Sequence, residues 1–480
     1  MYYCCVSTPV IPSARSWAFV WRRTYRETVV NPLNAYTNFR YNTLGQPRAG
    51  PSIRRFAPTR DGRETMLSTH AIESITRTVL CIPFHERCRL VKTVRVNGWS
   101  MVDLYRVRST SGVEGIGENL ALYGSPTSSE SNFNRVIGKN VFELLQDDSL
   151  GAGIQMALFD LAAKLVDQPC HRLLGHQVRD ACPVSWWAQD MHPDEWAEEA
   201  RTAESLGFTS MKAKARPWFD IDKQLEAVCA AVSPHFKFDI DFNGLLLGVD
   251  QAAPLIQKLE SRHPNLAILE SPIDQADVDG NALLRRKIST PISMHFGSPP
   301  AQTAVREGVC DGFVISGGAT RVRSQGTFAE HHSMPFWLQL VGTGLTTIWS
   351  VHLGAVLKMA RWPYIPCTNI YEHPLIDEFT ILGGHVPVPD APGLGVTISE
   401  DAVERYRVED HFVKPTPRQI HTIHWPDGRD THYPNGDYRE AFLQGKLTGF
   451  LPGISLDRRI DDGSNDFEQE YKDRFGAAAG

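Results

Sequence analysis

The chain of 480 residues lacks several features that would assign it to common protein classes. It has no uninterrupted run of roughly 18 apolar residues, so a membrane-spanning helix and a membrane partner are not expected. Its nine cysteines form an odd set without a Cys-x-x-Cys pair, which argues against a zinc ribbon or a disulfide framework and favours a reducing compartment. No Gly-x-Gly-x-x-Gly segment follows an early strand, so a dinucleotide-binding domain is not expected either.

Lysine is absent from residues 1–60, which contain nine arginines and a single acid, Glu27. The whole chain has 49 basic and 55 acidic residues. Residues 61–480 therefore contain 40 basic and 54 acidic residues, which gives them a net charge of −14. A body this acidic would repel a phosphate backbone, so no nucleic-acid partner is expected. We interpret residues 1–66 as a leader that is disordered or missing from the mature protein, either a transit peptide or sequence upstream of a true start at Met66. The expected location is cytoplasmic, and the mitochondrial matrix only if the leader is a genuine transit peptide.

Residues 67–180 have the pattern of an α+β domain. Alternating apolar and polar residues predict an antiparallel meander from four segments: RTVLCIPF (77–84), RLVKTVRV (89–96), SMVDLYRVRS (100–109) and GVEGIGENL (112–120). Apolar residues at helical spacing then predict a helix over IQMALFDLAAKLV (154–166).

From residue 181 to 395, short apolar runs alternate with amphipathic helices. The runs are VSWWAQ (184–189), TSMKAKA (209–215), FKFDIDF (236–242), LAILESPI (266–273), PISMHF (291–296), GFVIS (312–316), PFWLQLV (335–341) and CTNIYE (367–372). Eight such units predict an α/β fold, a TIM-like (β/α)8 barrel, with the preceding α+β domain as its cap. Residues 396–455 are expected to return to the cap with a hairpin at Pro426-Asp427-Gly428, and residues 456–480 to form a flexible tail.

Polar residues stand at the predicted C-terminal ends of several barrel strands, where a barrel carries its catalytic groups. Lys212 and Lys214 lie two apart, so both point inward or both outward. An inward pair would lower each lysine's pKa and could leave one amine neutral enough to act as a base, whereas an outward pair would be solvated at the rim. Other strands end in Asn243, Gln339 and Glu372.

Asp241 and Glu270 lie 29 residues apart, about one barrel unit, so adjacent strands would bring their carboxylates together. Such a pair suits Mg²⁺, which binds one or two carboxylates together with water and substrate oxygens, although two salt-bridged acids would look the same. His295 follows on the next strand, either as a structural histidine or as a third ligand. An imidazole ligand would shift the preference toward Mn²⁺ or another divalent ion.

Six segments in this order and spacing resemble the enolase superfamily, and within it the mandelate racemase and muconate lactonizing enzyme group, over roughly residues 70–405. They are GIGENLALY (115–123), MALFDLAAKLVDQPCHRLLG (156–175), KAK (212–214), DFNG (241–244), ESPI (270–273) and GGATR (317–321). The resemblance implies an enzyme, a lyase or isomerase, that removes the proton α to a carboxylate and stabilises the resulting enolate with a divalent ion, normally Mg²⁺.

The resemblance also implies residue roles. Lys214 would be the base, with Lys212 as its electrostatic neighbour and carboxylate contact. Asp241 and Glu270 would bind the metal, and Glu372 would hydrogen-bond the enolate. His295 stands where the family usually has a third acidic ligand, and could either bind the metal or assist the leaving group.

The chain departs from the racemase and cycloisomerase branches because no second base is evident at the ends of its sixth and seventh strands. Elimination of water needs a base on one face only, so we expect a dehydratase of a hydroxy or sugar acid. Cycloisomerization, racemization or epimerization, and a barrel that binds acid or metal without turnover are the alternatives.

Substrate specificity should come from loops of the cap that close over the barrel mouth. The candidates are His85, Arg87 and Tyr123, together with Asn243 and Gln339 of the barrel. Arg87 in particular could bind a second carboxylate, because a guanidinium binds carboxylates bidentately. Since members of the family are commonly oligomeric, the expected partners are a small carboxylate substrate and further copies of the chain.

Overall fold

A computed structural model describes residues 69–121, 130–377, 379–436 and 438–476. The arginine-rich leader and Tyr123 lie outside these ranges, so the expectations for them stay expectations. Across the described ranges, no helix combines the length and the apolar character needed to cross a membrane.

The cap is a three-stranded antiparallel sheet, in the order β1-β2-β3, with helices packed against it. Its elements are β1 (Ile72–Cys81), α1 (Arg89–Val96), β2 (Met101–Ser109), β3 (Glu114–Leu120), α2 (Glu130–Val136), α3 (Val141–Leu144), α4 (Ala152–Leu165) and α5 (Cys170–Leu174). Helix α4 confirms the prediction over IQMALFDLAAKLV. A Cβ on Gly117 would lie 2.2 Å from the carbonyl oxygen of Gly153, so this glycine lets β3 and α4 approach closely.

One of the four segments predicted for the meander is a helix. RLVKTVRV forms α1, which places Val91 and Lys92 on a buried side, whereas the other three segments contribute β1, β2 and β3. The alternation of valine with polar residues predicted a strand. Burial of one helical face overrides that local preference, because β-propensity depends strongly on tertiary context.

The barrel contains seven parallel strands in the order β11-β10-β9-β8-β7-β6-β5. Its strands are β5 (Trp186–Trp187), β6 (Ser210–Lys214), β7 (Lys237–Asp241), β8 (Leu266–Glu270), β9 (Ile292–His295), β10 (Gly312–Ile315) and β11 (Phe336–Leu338), preceded by β4 (Ala181–Pro183). The helices are α6 (Pro193–Ser205), α7 (Ile221–Ala231), α8 (Val249–Arg262), α9 (Val278–Lys287), α10 (Ala301–Glu307), α11 (Ala319–His331) and α12 (Gly344–Ala355). Strands β12 (His385–Pro387) and β4 form a separate two-stranded antiparallel sheet, and α13 (Glu400–Tyr406) follows. The architecture is the capped (β/α)8 type that the alternation predicted.

The ring closes at a place that the sequence did not predict. Tyr364 forms a parallel bridge with Val184, and the N–H of Ile365 donates to the carbonyl oxygen of Leu338 at 2.9 Å. The predicted eighth run, CTNIYE, instead contains a 3-10 turn over Thr368–Ile370. Prolines 363 and 366 flank the closing residues, and proline has no N–H to donate to a ladder, so no regular eighth strand forms.

Glu118 of the cap joins the cap to the barrel. Its buried carboxylate accepts hydrogen bonds from the backbone N–H groups of Thr343 at 2.7 Å and Thr346 at 2.9 Å, and from both threonine hydroxyls. These residues begin α12, and an anion at a helix N-terminus is stabilised by the helix dipole and the free N–H groups. The Gly-x-Gly-Glu segment therefore links the cap to the barrel through hydrogen bonds.

The C-terminal part is a three-stranded antiparallel sheet in the order β14-β13-β15. Its elements are β13 (Gln419–His424), β14 (Asp430–Pro434), α14 (Tyr438–Leu443), β15 (Ser455–Ile460) and α15 (Asn465–Phe475). The hairpin at Pro426-Asp427-Gly428 is confirmed between β13 and β14. The expectation of a flexible tail is wrong for residues 456–475, because β15 pairs with β13 and buries Leu456, while α15 buries Phe467.

Candidate active site

The C-terminal ends of β6, β7 and β8 carry three ionisable side chains in register. Lys214 pairs with Asp241 across β6 and β7, and Asp241 pairs with Glu270 across β7 and β8. The two carboxylates and Lys212 are buried within the barrel. The lysine pair therefore points inward, and the alternative of a solvated pair at the rim is wrong.

Lys212 is a buried cation held between acids. Its Nζ contacts Glu270 Oε2, donates to Gln339 Oε1 at 2.6 Å and lies 3.9 Å from Asp241 Oδ2. Burial disfavours the charged amine, but the two carboxylates outweigh it and raise the pKa of Lys212. The expected mutual lowering of the lysine pKa values is therefore wrong for Lys212, because its acidic neighbours lie closer than the sequence could show.

Lys214 is the member of the pair that reaches open space. Its side chain is 13% exposed, against 0% for Lys212, and its Nζ contacts Asp241 Oδ2. Lys214 and Gln339 both line a cavity of about 120 Å³. Only one of the two amines is thus placed to meet a substrate directly.

Glu270 has a low pKa although it is buried. Burial raises its pKa, but Lys212 and, to a smaller extent, His295 lower it well below the usual range. His295 Nε2 lies 3.2 Å from Glu270 Oε1, and the His295 side chain is 39% exposed. The strand residue that pairs with Glu270 of β8 is Ser293 of β9, however. His295 therefore lies two residues beyond the position level with Glu270.

Asp241 and Glu270 fit a hard divalent ion chemically. They are two buried carboxylates in register at a barrel mouth, and Mg²⁺ accepts one or two carboxylates with water and substrate oxygens in the other positions. Within the described ranges, no three histidine, cysteine, aspartate or glutamate side chains are arranged to hold a metal. The geometry therefore fits two protein ligands, without His295 completing a set of three.

The sequence did not identify most of the residues that surround the cavity. Besides Lys214 and Gln339, the lining consists of Trp99, Trp187, Gln189, Arg216, Val341 and Cys367. Arg216 could have been found, because it continues the spacing of two that links Lys212 and Lys214. Trp99 belongs to the cap and stacks on Trp187 with ring centroids 5.2 Å apart. A local sequence pattern does not predict this contact, because the two residues are far apart in the chain.

Three other candidate residues lie apart from the cavity lining. Glu372 is exposed, and its backbone N–H donates to the Pro83 carbonyl oxygen at 2.9 Å, because the ring closes before it. Arg87 is occupied: its Nε lies 3.0 Å from Glu199 Oε1 and its guanidinium lies 4.6 Å from the Trp186 ring centre. The exposed His85 accepts the N–H of Arg87 through Nδ1 at 3.4 Å, which caps a short turn.

Asn243 lies at the mouth of the barrel beside the carboxylates. Its φ of 49° is in the left-handed region, and its N–H donates to Asp241 Oδ1 at 2.8 Å. Its side-chain amide donates to Asp241 Oδ2 at 3.1 Å, and its Oδ1 accepts from Arg216 at 2.7 Å. Asn243 thus holds Asp241 and Arg216 in place.

Known proteins share this fold and these sequence features. Residues 195–402 match the family model described as enolase C-terminal domain-like. D-xylonate dehydratase of Haloferax volcanii is 26% identical over 66% of this chain and 88% of its own length. Chloromuconate cycloisomerase of Cupriavidus pinatubonensis is 22% identical over 63% of this chain and 90% of its own length.

A solved structure from Burkholderia xenovorans has the same fold. It is assigned as an L-alanine-DL-glutamate epimerase bound to magnesium and fumarate, and superposes with a TM-score of 0.57 at 17% identity. The match covers 71% of this chain and 97% of that one. Residues 195–402 therefore match the enolase C-terminal domain-like family, and the relatives of the chain include lyases and isomerases such as the D-xylonate dehydratase and the chloromuconate cycloisomerase.

Proposed function

We propose that this enzyme removes the proton α to the carboxylate of a small acid, with Lys214 as the base, and that the overall reaction is the dehydration of a hydroxy acid. The proposal rests on the different environments of the two lysines. Lys214 lines the cavity, whereas Lys212 is held as a buried cation by Glu270 and Gln339. One amine can receive a proton while the other supplies positive charge.

Lys212 is the residue that would stabilise the negative charge formed in the transition state. Removal of the α-proton moves negative charge onto the carboxylate oxygens of the substrate. A cation already in place beneath those oxygens stabilises the transition state more than the ground state, and needs no reorganisation. Gln339 keeps the Lys212 ammonium oriented by accepting one of its N–H groups.

The cavity offers one base, which favours elimination over racemization. Among the described residues that line it, the ionisable ones besides Lys214 are Arg216 and Cys367. Arginine stays protonated, and burial raises the pKa of the Cys367 thiol to about 12. Racemization of a free α-carbon needs a group on each face. Elimination and cycloisomerization need one, so cycloisomerization remains the second candidate.

In the proposed dehydration, Lys214 Nζ takes the α-proton and the bond between the β-carbon and its hydroxyl breaks. The departing hydroxyl takes up a proton and leaves as water. We assign that second proton to His295, whose partly exposed imidazole stands at the same strand ends beside Glu270. From a dihydroxy acid the product is an enol, which converts to a 2-keto acid.

We propose Asp241 and Glu270 as the ligands of a divalent ion, normally Mg²⁺ in this superfamily. When bound, the ion would neutralise part of the negative charge that develops on the substrate. The donor chemistry of two buried carboxylates in register supports this.

Incubation with candidate acids in deuterated water tests the proposed function. We expect deuterium at the α-carbon, or at the corresponding carbon of the product, for at least one acid in a panel of hydroxy acids, sugar acids and unsaturated acids. Proton NMR measures the incorporation and identifies the product. If no acid exchanges while the protein binds the panel, a barrel that binds acids without turnover is the correct description.

Metal binding is a separate expectation, measured by titration calorimetry without substrate. We expect Mg²⁺ and Mn²⁺ to bind at one site and Asp241→Asn to weaken binding by about 10-fold or more, since a ligand charge is lost. His295→Asp places an added negative charge near Glu270, next to which His295 lies, and should strengthen Mg²⁺ binding. Asp427→Asn, at an exposed acid of the hairpin, is the matched control. Equal binding by wild type and Asp241→Asn would contradict the assignment.

A further inference from the structure

Arg216 extends the row of cations that begins with Lys212 and Lys214. Ala215 continues the ladder, since its N–H donates to the Asp241 carbonyl oxygen at 3.1 Å. Extended residues two apart are separated by roughly 6–7 Å and face the same side. Arg216 lines the same cavity as Lys214, so a substrate that meets the base also lies near the guanidinium.

The hydrogen bonds of Arg216 leave its charge without an acid of its own. Nη1 donates to the carbonyl oxygens of Ala215 at 2.6 Å and Asp241 at 3.3 Å, and Nη2 donates to Asn243 Oδ1 at 2.7 Å. All three acceptors are neutral. A guanidinium has five N–H donors, so some stay available to a ligand.

The nearby acids are already committed to other cations. Asp190 contacts both Arg95, at 2.9 Å, and Arg458. Asp241 contacts Lys214 directly and lies 3.9 Å from Lys212. This side of the cavity therefore carries an excess of positive charge.

The cavity itself is small. Its volume is about 120 Å³. A compact acid fits such a space better than an extended six-carbon sugar acid.

We infer that Arg216 binds a second carboxylate of the substrate, which makes that substrate a short hydroxy dicarboxylate of about four carbons. One carboxylate faces Lys212, the α-proton faces Lys214, and the far carboxylate meets Arg216. This inference rests on the proposed function, and it transfers to Arg216 the role that the sequence suggested for Arg87, whose guanidinium Glu199 occupies.

Tartrate and threonate form a matched pair for the test, because they share a four-carbon chain and differ in one end, a carboxylate in tartrate and a hydroxymethyl group in threonate. We expect calorimetry with the Mg²⁺-loaded protein to show tartrate binding about 10- to 100-fold more tightly, the range for a hydrogen bond to a charged group. Arg216→Gln should remove that preference and leave threonate binding within about 3-fold of wild type, and Arg216→Lys should keep part of it. Arg361→Gln, at an exposed arginine, should change neither affinity.

Two results would overturn the inference and leave the proposed function standing. One is that the wild-type protein binds tartrate and threonate with equal affinity, or binds neither of them. The other is an equal loss of both affinities in Arg216→Gln, which would make Arg216 a clamp for Asn243. The deuterium exchange of the wider acid panel judges the proposed function independently, because it does not require a second carboxylate.

Discussion

Replacing Lys214 with alanine is expected to abolish exchange of the substrate α-proton with solvent deuterium while the protein stays folded. A positioned general base contributes about 10²- to 10⁴-fold to rate, so exchange should fall by that factor. The loss should appear in kcat rather than in substrate affinity, because Gln339 would still line the cavity and the buried charge of Lys212 would still attract the carboxylate. Proton NMR of the acid in deuterated water measures the exchange rate.

Two further variants make this test specific. Lys358→Ala removes an exposed lysine that is paired with Glu330 at 3.4 Å, and should leave exchange unchanged. Lys214→Met keeps the apolar stem of the side chain without the amine, and should be as inactive as Lys214→Ala. Exchange within 2-fold of wild type in either Lys214 variant would show that the base is another group. Lys212 is less suited to the test, because its removal would leave Glu270 buried without its main counterion.

The second large effect is expected on stability, from Asp190→Asn. Asp190 is fully buried and connects three parts of the chain: it contacts Arg95 of the cap helix α1 and Arg458 of β15, and it follows the first barrel strand. Its pKa lies well below the usual range, because Arg458 and Arg95 outweigh the effect of burial. Removing one member of a buried ion-pair network costs about 3–5 kcal/mol, since the remaining charges lose their partner.

The loss should be visible at neutral pH as a lower melting temperature and a lower denaturant midpoint. A carboxyl with a depressed pKa contributes its stability above its unfolded pKa of about 3.9, and loses it as pH falls toward the folded value. Asp427→Asn provides the control, because its partner Arg429 is exposed and such pairs contribute little. Adding Arg458→Met to Asp190→Asn should recover part of the loss. A melting temperature unchanged in Asp190→Asn would contradict the role of this network.

The C-terminal part also packs against the loops that carry two residues of the site. Trp218 and Phe219 follow Arg216 along the chain and pack in one apolar cluster with Ile423, Tyr438, Ile454 and Leu456. Phe450 packs on Phe242, next to Asn243, with ring centroids 5.9 Å apart. The C-terminal sheet therefore supports the two loops that carry Arg216 and Asn243.

Much of the site could be predicted because it depends on local order. Strands of a parallel barrel end at one rim, so polar residues that follow apolar runs at intervals of one barrel unit must gather there. That rule placed Lys212, Lys214, Asp241 and Glu270 together without any knowledge of the packing. It failed for Glu372, since two prolines shift the closure of the ring to Tyr364 and Ile365.

The sequence alone was enough to predict the capped barrel and the gathering of Lys214, Asp241 and Glu270 at one rim, because periodicity and strand-end position are properties of short segments. The helical state of RLVKTVRV and the ordered state of residues 456–475 are visible only in the tertiary structure. It alone paired Arg87 with Glu199 and left Arg216 facing the cavity. Those outcomes depend on which distant groups meet in the folded chain. A cation already paired with a buried acid is structural, whereas one without an acid of its own remains available to a substrate.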